Sequence, residues 1–188
     1  MKKLSIFAAL MFLAATTFAQ NWAFDKAHTK LGFTINHSGL SEVDGVIKIT
    51  DCKITSAKED FSDGVFELTA DLKTVNTGNE MRDGHLQKPD MFDTEKFPTL
   101  TFKSTSITKV SDKMYKLVGD LTIKGVTKSY TLDLTLMGSK IDPRSKKLKA
   151  GFKVTGTIKR TDFGVSNMPA AAISDEVELR ASGEFVKD

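Results

Sequence analysis

The segment "MRDGHLQKPDMF", residues 81–92, places Arg82, Asp83, His85, Lys88 and Asp90 within nine positions. Three kinds of chemistry call for such a set. A histidine beside carboxylates can move a proton. An arginine steadied by an aspartate can grip a polar head group. The same residues can also cap and solvate a surface helix. Thr77 or Asn79 can begin a helix that Pro89 stops near Lys88, with Asp90 capping a further short turn. On that helix Met81 and His85 are four apart, as are Arg82 and Leu86, so Arg82 and His85 can each reach a rim beside an apolar neighbour. Two readings stand. In one, Arg82 and His85 hydrogen-bond the polar head of a ligand while Asp83 holds Arg82. In the other, Arg82 and Asp83 tie a crossover to a strand end and His85 is a partly buried structural histidine.

Other reactive residues do not assemble into a known centre. His28, His37 and His85 lack metal-ligand spacing and Cys52 has no cysteine partner, so no metal site is expected. His37 shares a parity with Phe33 and Ile35 and reads as a buried hydrogen-bonding residue or a polar anchor in the interior. There is no nucleophile elbow, no H-E-x-x-H and no phosphate loop, and the carboxylates fall mostly on a solvent parity. The "DFG" at 162–164 lacks the other kinase parts, and Arg160 with Asp162 reads as a rim pair. No catalytic residue and no cofactor are expected.

The surrounding elements must do the positioning, and their period is two. Leu31, Phe33 and Ile35 alternate with Gly32, Thr34 and Asn36; Phe66, Leu68, Ala70 and Leu72 alternate with Glu67, Thr69, Asp71 and Lys73. The pattern returns from Tyr115 to Ile123, Tyr130 to Leu136, Leu148 to Ile158 and Val177 to Phe185, with weaker runs near 43–50 and 99–107, eight in all. Turn chemistry at 38–45, 62–64, 124–128 and 142–147 joins neighbours as antiparallel hairpins. The exception is 74–98, too long for a plain loop and expected to carry a short helix at about 78–93. Eight such strands make either a sandwich or a barrel. The long runs 113–123 and 147–160 favour an all-β, eight-stranded antiparallel barrel. Small residues of inward parity, Ala70, Gly119, Ala150, Gly156, Ala181 and Gly183, are expected to leave an apolar void. A tail would then lie along Phe33, Ile35, Phe66 and Leu68, and along Phe102, Leu117, Leu132, Phe152 and Leu179. Heavy charge on the polar parity, with one Trp and two Tyr, argues against an outer-membrane barrel.

Lys2 and Lys3, the apolar run Leu4–Ala15 and the small Thr17 and Ala19 read as a secretory signal peptide over residues 1–19, cut after Ala19, leaving one domain at 20–188. The apolar run is shorter than the roughly 20 residues of a spanning helix, so stable membrane insertion is not expected. Cleavage leaves 25 basic against 24 acidic residues, a charge of +1, which gives no reason to expect a nucleic-acid partner. Cys52 is the lone cysteine, so neither a lipid anchor at the mature end nor an internal disulfide is available. That thiol and open sheet edges permit a homodimer without arguing for one.

The segments "DKAHTKLGFTINHSG", "TVNTGNEMRDGHLQKPDMFDTEKFPTLTFKS", "GDLTIKGVTKSYTL", "AGFKVTGTIKRTDFGV" and "ISDEVELRASGE" together resemble the YceI-like family over about residues 22–186. The resemblance implies a lipocalin-like barrel holding a polyisoprenoid or other long amphiphile, such as an isoprenoid quinone or a fatty-acid derivative. It implies an exported, periplasmic setting, a role in transport or storage, and no agreed catalytic activity. The competing expectation is an enzyme acting on a lipid in the same cavity. Two positions depart from the family pattern: Thr29 stands where Ser is common, and Met91–Phe92 where paired Phe is common. Met fits irregular apolar space, which points to a shifted ligand preference near that loop.

Overall fold

The computed structural model describes residues 19–188; the expected signal peptide up to residue 18 lies outside the described residues. Nine strand segments form: β1 (Gln20–Phe24), β2 (Lys30–His37), β3 (Ser41–Ser56), β4 (Val65–Asn76), β5 (Thr99–Lys109), β6 (Met114–Ile123), β7 (Val126–Ile141), β8 (Leu148–Lys159) and β9 (Ile173–Lys187). One helix, α1 (Glu80–Leu86), sits in the β4–β5 crossover, and a 3-10 turn, Arg160–Phe163, follows β8. Every pairing is antiparallel, and β3 bonds to β4 to close the sheet on itself.

The nine segments occupy eight positions. β2 lies between β3 and β9, with Leu31 opposite Ile47 and Ala181; β1 takes up the same two neighbours farther along, with Trp22 opposite Ile54 and Lys187. The two short segments thus act as one interrupted strand, and the architecture is a closed eight-stranded antiparallel barrel with one short helix. β1 has no clear alternation and carries no period-two signal.

Local chemistry sets the hairpins. Lys124 and Gly125 both take positive φ, 51° and 74°, the two-residue turn whose twist matches its strands. The turn expected over 38–45 is confined to Ser38–Leu40, because β3 begins at Ser41; Asn36 Oδ1 accepts from the Gly39 N–H at 2.7 Å and closes it. Cross-strand pairing with β2 draws residues 41–45 into the sheet despite their turn-like composition.

The barrel is plugged at one end. The β3–β4 connection turns the Phe61 ring inward, 4.9 Å from Trp22 and 4.8 Å edge-on to Phe152, with Phe66 and Phe185 also edge-on to Phe152. Phe61 is fully buried and holds a left-handed φ of 58°, a strained conformation that its burial offsets. Asp63 secures the loop by accepting from the Ser56 hydroxyl at 2.6 Å and the Ala57 and Lys58 N–H groups at 3.0 and 3.2 Å. The other end is covered by α1 and by the β8–β9 connection. Among the described residues no helix is long and apolar enough to cross a membrane.

Candidate functional site

Two apolar cavities adjoin inside the barrel. The upper one, about 280 Å³, lies beneath α1 and the β8–β9 connection; the lower, about 100 Å³, lies toward the aromatic plug. Phe33, Ile35, His37, Arg82 and His85 line the upper chamber, Phe66, Leu68, Phe102, Leu117, Leu132 and Phe152 the lower, and Leu179 borders both. All twelve residues singled out from the sequence therefore border one or other chamber.

The small residues of inward parity account for the open space only in part: Ala181 and Gly183 border the lower chamber, but the others do not. A Cβ at Gly119 would stand 2.4 Å from Phe102 Cζ, and one at Gly156 2.4 Å from Leu132 Cδ2, so neighbouring side chains already fill the room those glycines leave. Ala70 and Ala150 are packed in the core. The void lies instead along the axis, where side chains from an eight-strand perimeter do not all meet. Phe33 leans the same way over Gly45, its ring taking the place of a side chain there.

The rim corrects several assignments. Asn79 caps α1, accepting from the Arg82 N–H at 3.1 Å; Asp90 caps nothing and instead lies 3.1 Å from His85 Nε2, which holds its carboxyl below the ordinary range. Asp83 does not touch Arg82 directly. Its Oδ1 accepts from the Thr77 N–H at 2.8 Å and the Thr77 hydroxyl at 2.6 Å, and Thr77 in turn receives Arg82 Nε on Oγ1 at 2.7 Å and Nη2 on its carbonyl at 2.9 Å. Arg82 Nη1 has no partner among the described residues. Met81 points to solvent, 86% exposed, while Leu86 borders the chamber with Arg82 and His85. His37 is exposed at the end of β2, not buried: the β2–β9 register shifts between Ile35 and His37 and carries it to the rim.

Arg160 and Asp162 are not a pair. Arg160 is buried and spools the β8–β9 connection around its guanidinium, donating to the carbonyls of Ser174, Val165, Ser166, Met168 and Ile173 and to Asp175 Oδ1 at 2.8 Å. Asp162 accepts from the Tyr130 hydroxyl at 2.7 Å. Sequence reasoning missed Arg160 as a chamber residue. No local signal marked it, since Lys159 and Asp162 beside it gave Arg160 the look of an ordinary charged strand end. Lys124 laces the cover together, donating to the Pro89 and Gly164 carbonyls at 2.8 and 2.9 Å, and the Ser166 N–H adds a bond to the Asp90 carbonyl at 2.9 Å.

Cys52 faces inward because β3 is irregular between Ile49 and Asp51: Ile47 and Ile49 are buried before the irregularity, Ile54 and Ser56 after it. Burial, with Asp51 nearby, pushes its thiol up to about 12, so it stays protonated. The sheet closes on itself, and the half-buried Cys52 thiol borders the lower chamber. Thr29 Oγ1, also at the lower chamber, is buried without a hydrogen-bond partner. Of the histidines, His28 pairs with Asp25 at 2.9 Å near Glu184, but the Lys149 ammonium stands among these carboxylates, 3.9 Å from Asp25 and 3.7 Å from Glu184. A cation already balances that cluster, and none of its residues lines either chamber.

A family model described as a YceI-like domain matches residues 22–185. Protein YceI of Escherichia coli O157:H7 is 37% identical over 183 residues, 96% of this chain and 94% of that protein. Among solved structures, a Campylobacter jejuni YceI protein is 27% identical with a TM-score of 0.71, covering 100% of this chain and 99% of that one. A polyisoprenoid binding domain from Saccharophagus degradans, implicated in plant cell wall breakdown, shares the fold at a TM-score of 0.67 and 14% identity, covering 90% of this chain and 99% of that one.

Proposed function

The chain belongs to the YceI-like family, and from that premise we propose that it binds a long-chain amphiphilic lipid, an isoprenoid quinone, polyprenyl or fatty-acid derivative, for transport or storage. The observation that carries this reading is the pair of adjoining apolar chambers, closed below by the Phe61 plug and edged above by Arg82, His85 and His37. The Saccharophagus polyisoprenoid binding domain, which shares the fold, supports it. A tail of some fifteen carbons buried at ~0.8 kcal/mol per methylene supplies on the order of 10 kcal/mol before ordering costs, enough for micromolar binding.

Arg82 is the head-group residue of choice because its Nη1 is uncommitted, whereas every nitrogen of Arg160 is already bonded. Asp83, acting through Thr77, presets the Arg82 side chain. His85 and Asp90 add a second polar contact at the mouth. We read the protein as a binder rather than an enzyme: both chambers are lined mostly by apolar side chains, and the thiol in the lower one stays protonated. In this reading residues 1–19 are an export leader cut after Ala19, and the carrier works in the periplasm.

The test is organic extraction of the native purified protein followed by mass spectrometry, with titration of an added quinone into the delipidated form. Recovery of a tail-bearing lipid, with an Arg82→Gln variant binding it about tenfold more weakly, is expected. Protein that emerges empty and ignores added quinone refutes the reading. A His85→Ala variant that keeps binding but abolishes lipid turnover favours an enzyme instead.

A further inference from the structure

The plugged end of the barrel, opposite the mouth, takes no part in the lipid-binding reading. The β7–β8 hairpin projects there past its neighbour: β6 pairs with β7 no farther than Met114 opposite Thr135, whereas β7 and β8 stay paired out to Ile141 opposite Leu148. Its tip is held in one shape. The Asp142 N–H donates to the Lys147 carbonyl and the Lys146 N–H to the Asp142 carbonyl, both at 2.9 Å, while Asp142 Oδ1 accepts from the Arg144 and Ser145 N–H groups at 2.9 and 2.7 Å.

Lys140, Arg144, Lys146 and Lys147 stand exposed on this hairpin and join no ion pair among the described residues. The acids nearby are already committed. Asp142 lies 3.4 Å from the Lys149 ammonium, which also faces Asp25 and Glu184, while Asp60 is held by Lys109 and Asp133 by Lys116. Apolar side chains stand in water beside the basic ones: Ile141, next to the tip, is 66% exposed, Met137 is 61% exposed, and Val110 and Met114 are exposed on the adjoining β5–β6 hairpin, whose Lys113 carbonyl accepts from the Leu136 N–H at 2.8 Å. At the mouth end Glu42, Glu80 and Glu176 stand exposed with Lys88 and Lys96, so no surplus of positive charge forms there. Uncommitted cations around exposed aliphatic side chains match the charge and the polarity gradient of an anionic leaflet. Three of the four cations are lysines and none of these exposed apolar side chains is aromatic, a composition that protein interfaces disfavour.

We propose that the β7–β8 hairpin docks the protein on an anionic bilayer surface, with Lys140, Arg144, Lys146 and Lys147 among the lipid phosphates and Ile141 entering the headgroup layer. The docked barrel turns its mouth away from the bilayer.

Each basic group close to an anionic leaflet strengthens binding about fivefold, and salt screens the effect. The full mature chain is floated with vesicles of phosphatidylcholine carrying about 30% phosphatidylglycerol, and with vesicles of phosphatidylcholine alone. It is expected to bind only the anionic vesicles, and at least ~10-fold more weakly at ~0.5 M than at ~0.1 M salt. Lys146→Gln with Lys147→Gln weakens binding about 25-fold, whereas Lys73→Gln with Lys128→Gln, which takes the same charge from the wall near the mouth, changes it by less than ~3-fold. Ile141→Trp shifts its emission to the blue on the anionic vesicles. Leu40→Trp, on the β2–β3 hairpin beside the mouth, does not, and the buried Trp22 adds a constant background. The comparison of vesicles and salt on the wild-type chain needs no variant. Failure to bind the anionic vesicles, equal binding to both kinds, undiminished binding in the Lys146/Lys147 variant, or a blue shift at Leu40→Trp in place of Ile141→Trp overturns the proposal. Polyglutamate bound more tightly than the vesicles assigns the hairpin to an acidic protein partner and overturns the bilayer. Lipid binding in the chambers stands or falls separately, since none of these hairpin residues borders them.

Discussion

Replacing Gly45 with alanine tests whether the upper chamber is a working volume or an incidental gap. Gly45 is buried on β3 opposite Phe33 of β2, and an alanine Cβ there would stand 2.2 Å from Phe33 Cζ and 2.4 Å from Cε1. Ordinary carbon contacts lie at about 3.5–4.0 Å, so the ring must move by about 1.5 Å. The barrel wall lies behind it, and the open direction is inward. The atoms in conflict are the far end of a side chain, so an off-rotamer cost of about 1 kcal/mol is expected, lowering Tm by roughly 2–4 °C for a chain of this size. Binding suffers more. A ring face moved inward by about 1.5 Å takes ~50 Å³, the room of about two methylenes, from a chamber of about 280 Å³. At ~0.8 kcal/mol each, that is about 1.6 kcal/mol, or roughly 15-fold in affinity for a fifteen-carbon tail. Fluorescent-probe displacement and thermal melts measure both quantities. Phe33→Leu in the same chain shortens the clashing side chain, so the double variant recovers part of the lost binding, a coupling that a double-mutant cycle detects. Gly151→Ala serves as the control, since a Cβ there meets nothing closer than Met137 Cβ at 3.6 Å. Wild-type affinity in a folded Gly45→Ala protein refutes the claim that the tail occupies the space beside Phe33.

Arg160→Met strips five carbonyls and Asp175 of their shared donor; a loss of about 3–5 kcal/mol in denaturant melts, with faster amide exchange across 164–174, is expected, and a loss under 1 kcal/mol contradicts the spool. Thr29→Val removes a buried hydroxyl that lacks a partner; Tm should hold or rise by a few degrees, and a clear fall shows that the hydroxyl is satisfied in solution. Lys109 beside Asp60, with the Ser62 N–H, holds the Asp60 carboxyl down at about 2. A depressed folded-state value means that this pair stabilises fully above the ordinary carboxylate range near 3.8 and loses its contribution as pH falls through about 2. Carboxyl NMR should show Asp60 titrating near 2, rising toward 3.8 in Lys109→Met; an unshifted wild-type titration removes the pair from any account of acid stability.

The sequence by itself determined eight of the nine strand segments, their inward parity away from the irregularities, and the short helix, because these depend on periods of two and on capping chemistry that one chain segment carries alone. From Leu31–Ile35, Phe66–Leu72 and Tyr115–Ile123 a barrel wall was legible before any contact was known, and the Asn79-to-Pro89 signals placed a helix in the long crossover. What lay beyond reach was whatever a neighbouring strand decides. β1 has no alternation and exists because β3 and β9 leave it a vacant position. An irregularity set by pairing with β4 turns Cys52 inward, and another against β9 sends His37 out to the rim. The rings of Phe33 and Phe102 lie over glycines of adjacent strands, so the interior volume could not be read from residue sizes along one strand. Arg160 gains its five carbonyls only when the chain after it folds back. Parity is local, but register, side-chain lean and the shape of the enclosed space belong to the closed sheet as a whole.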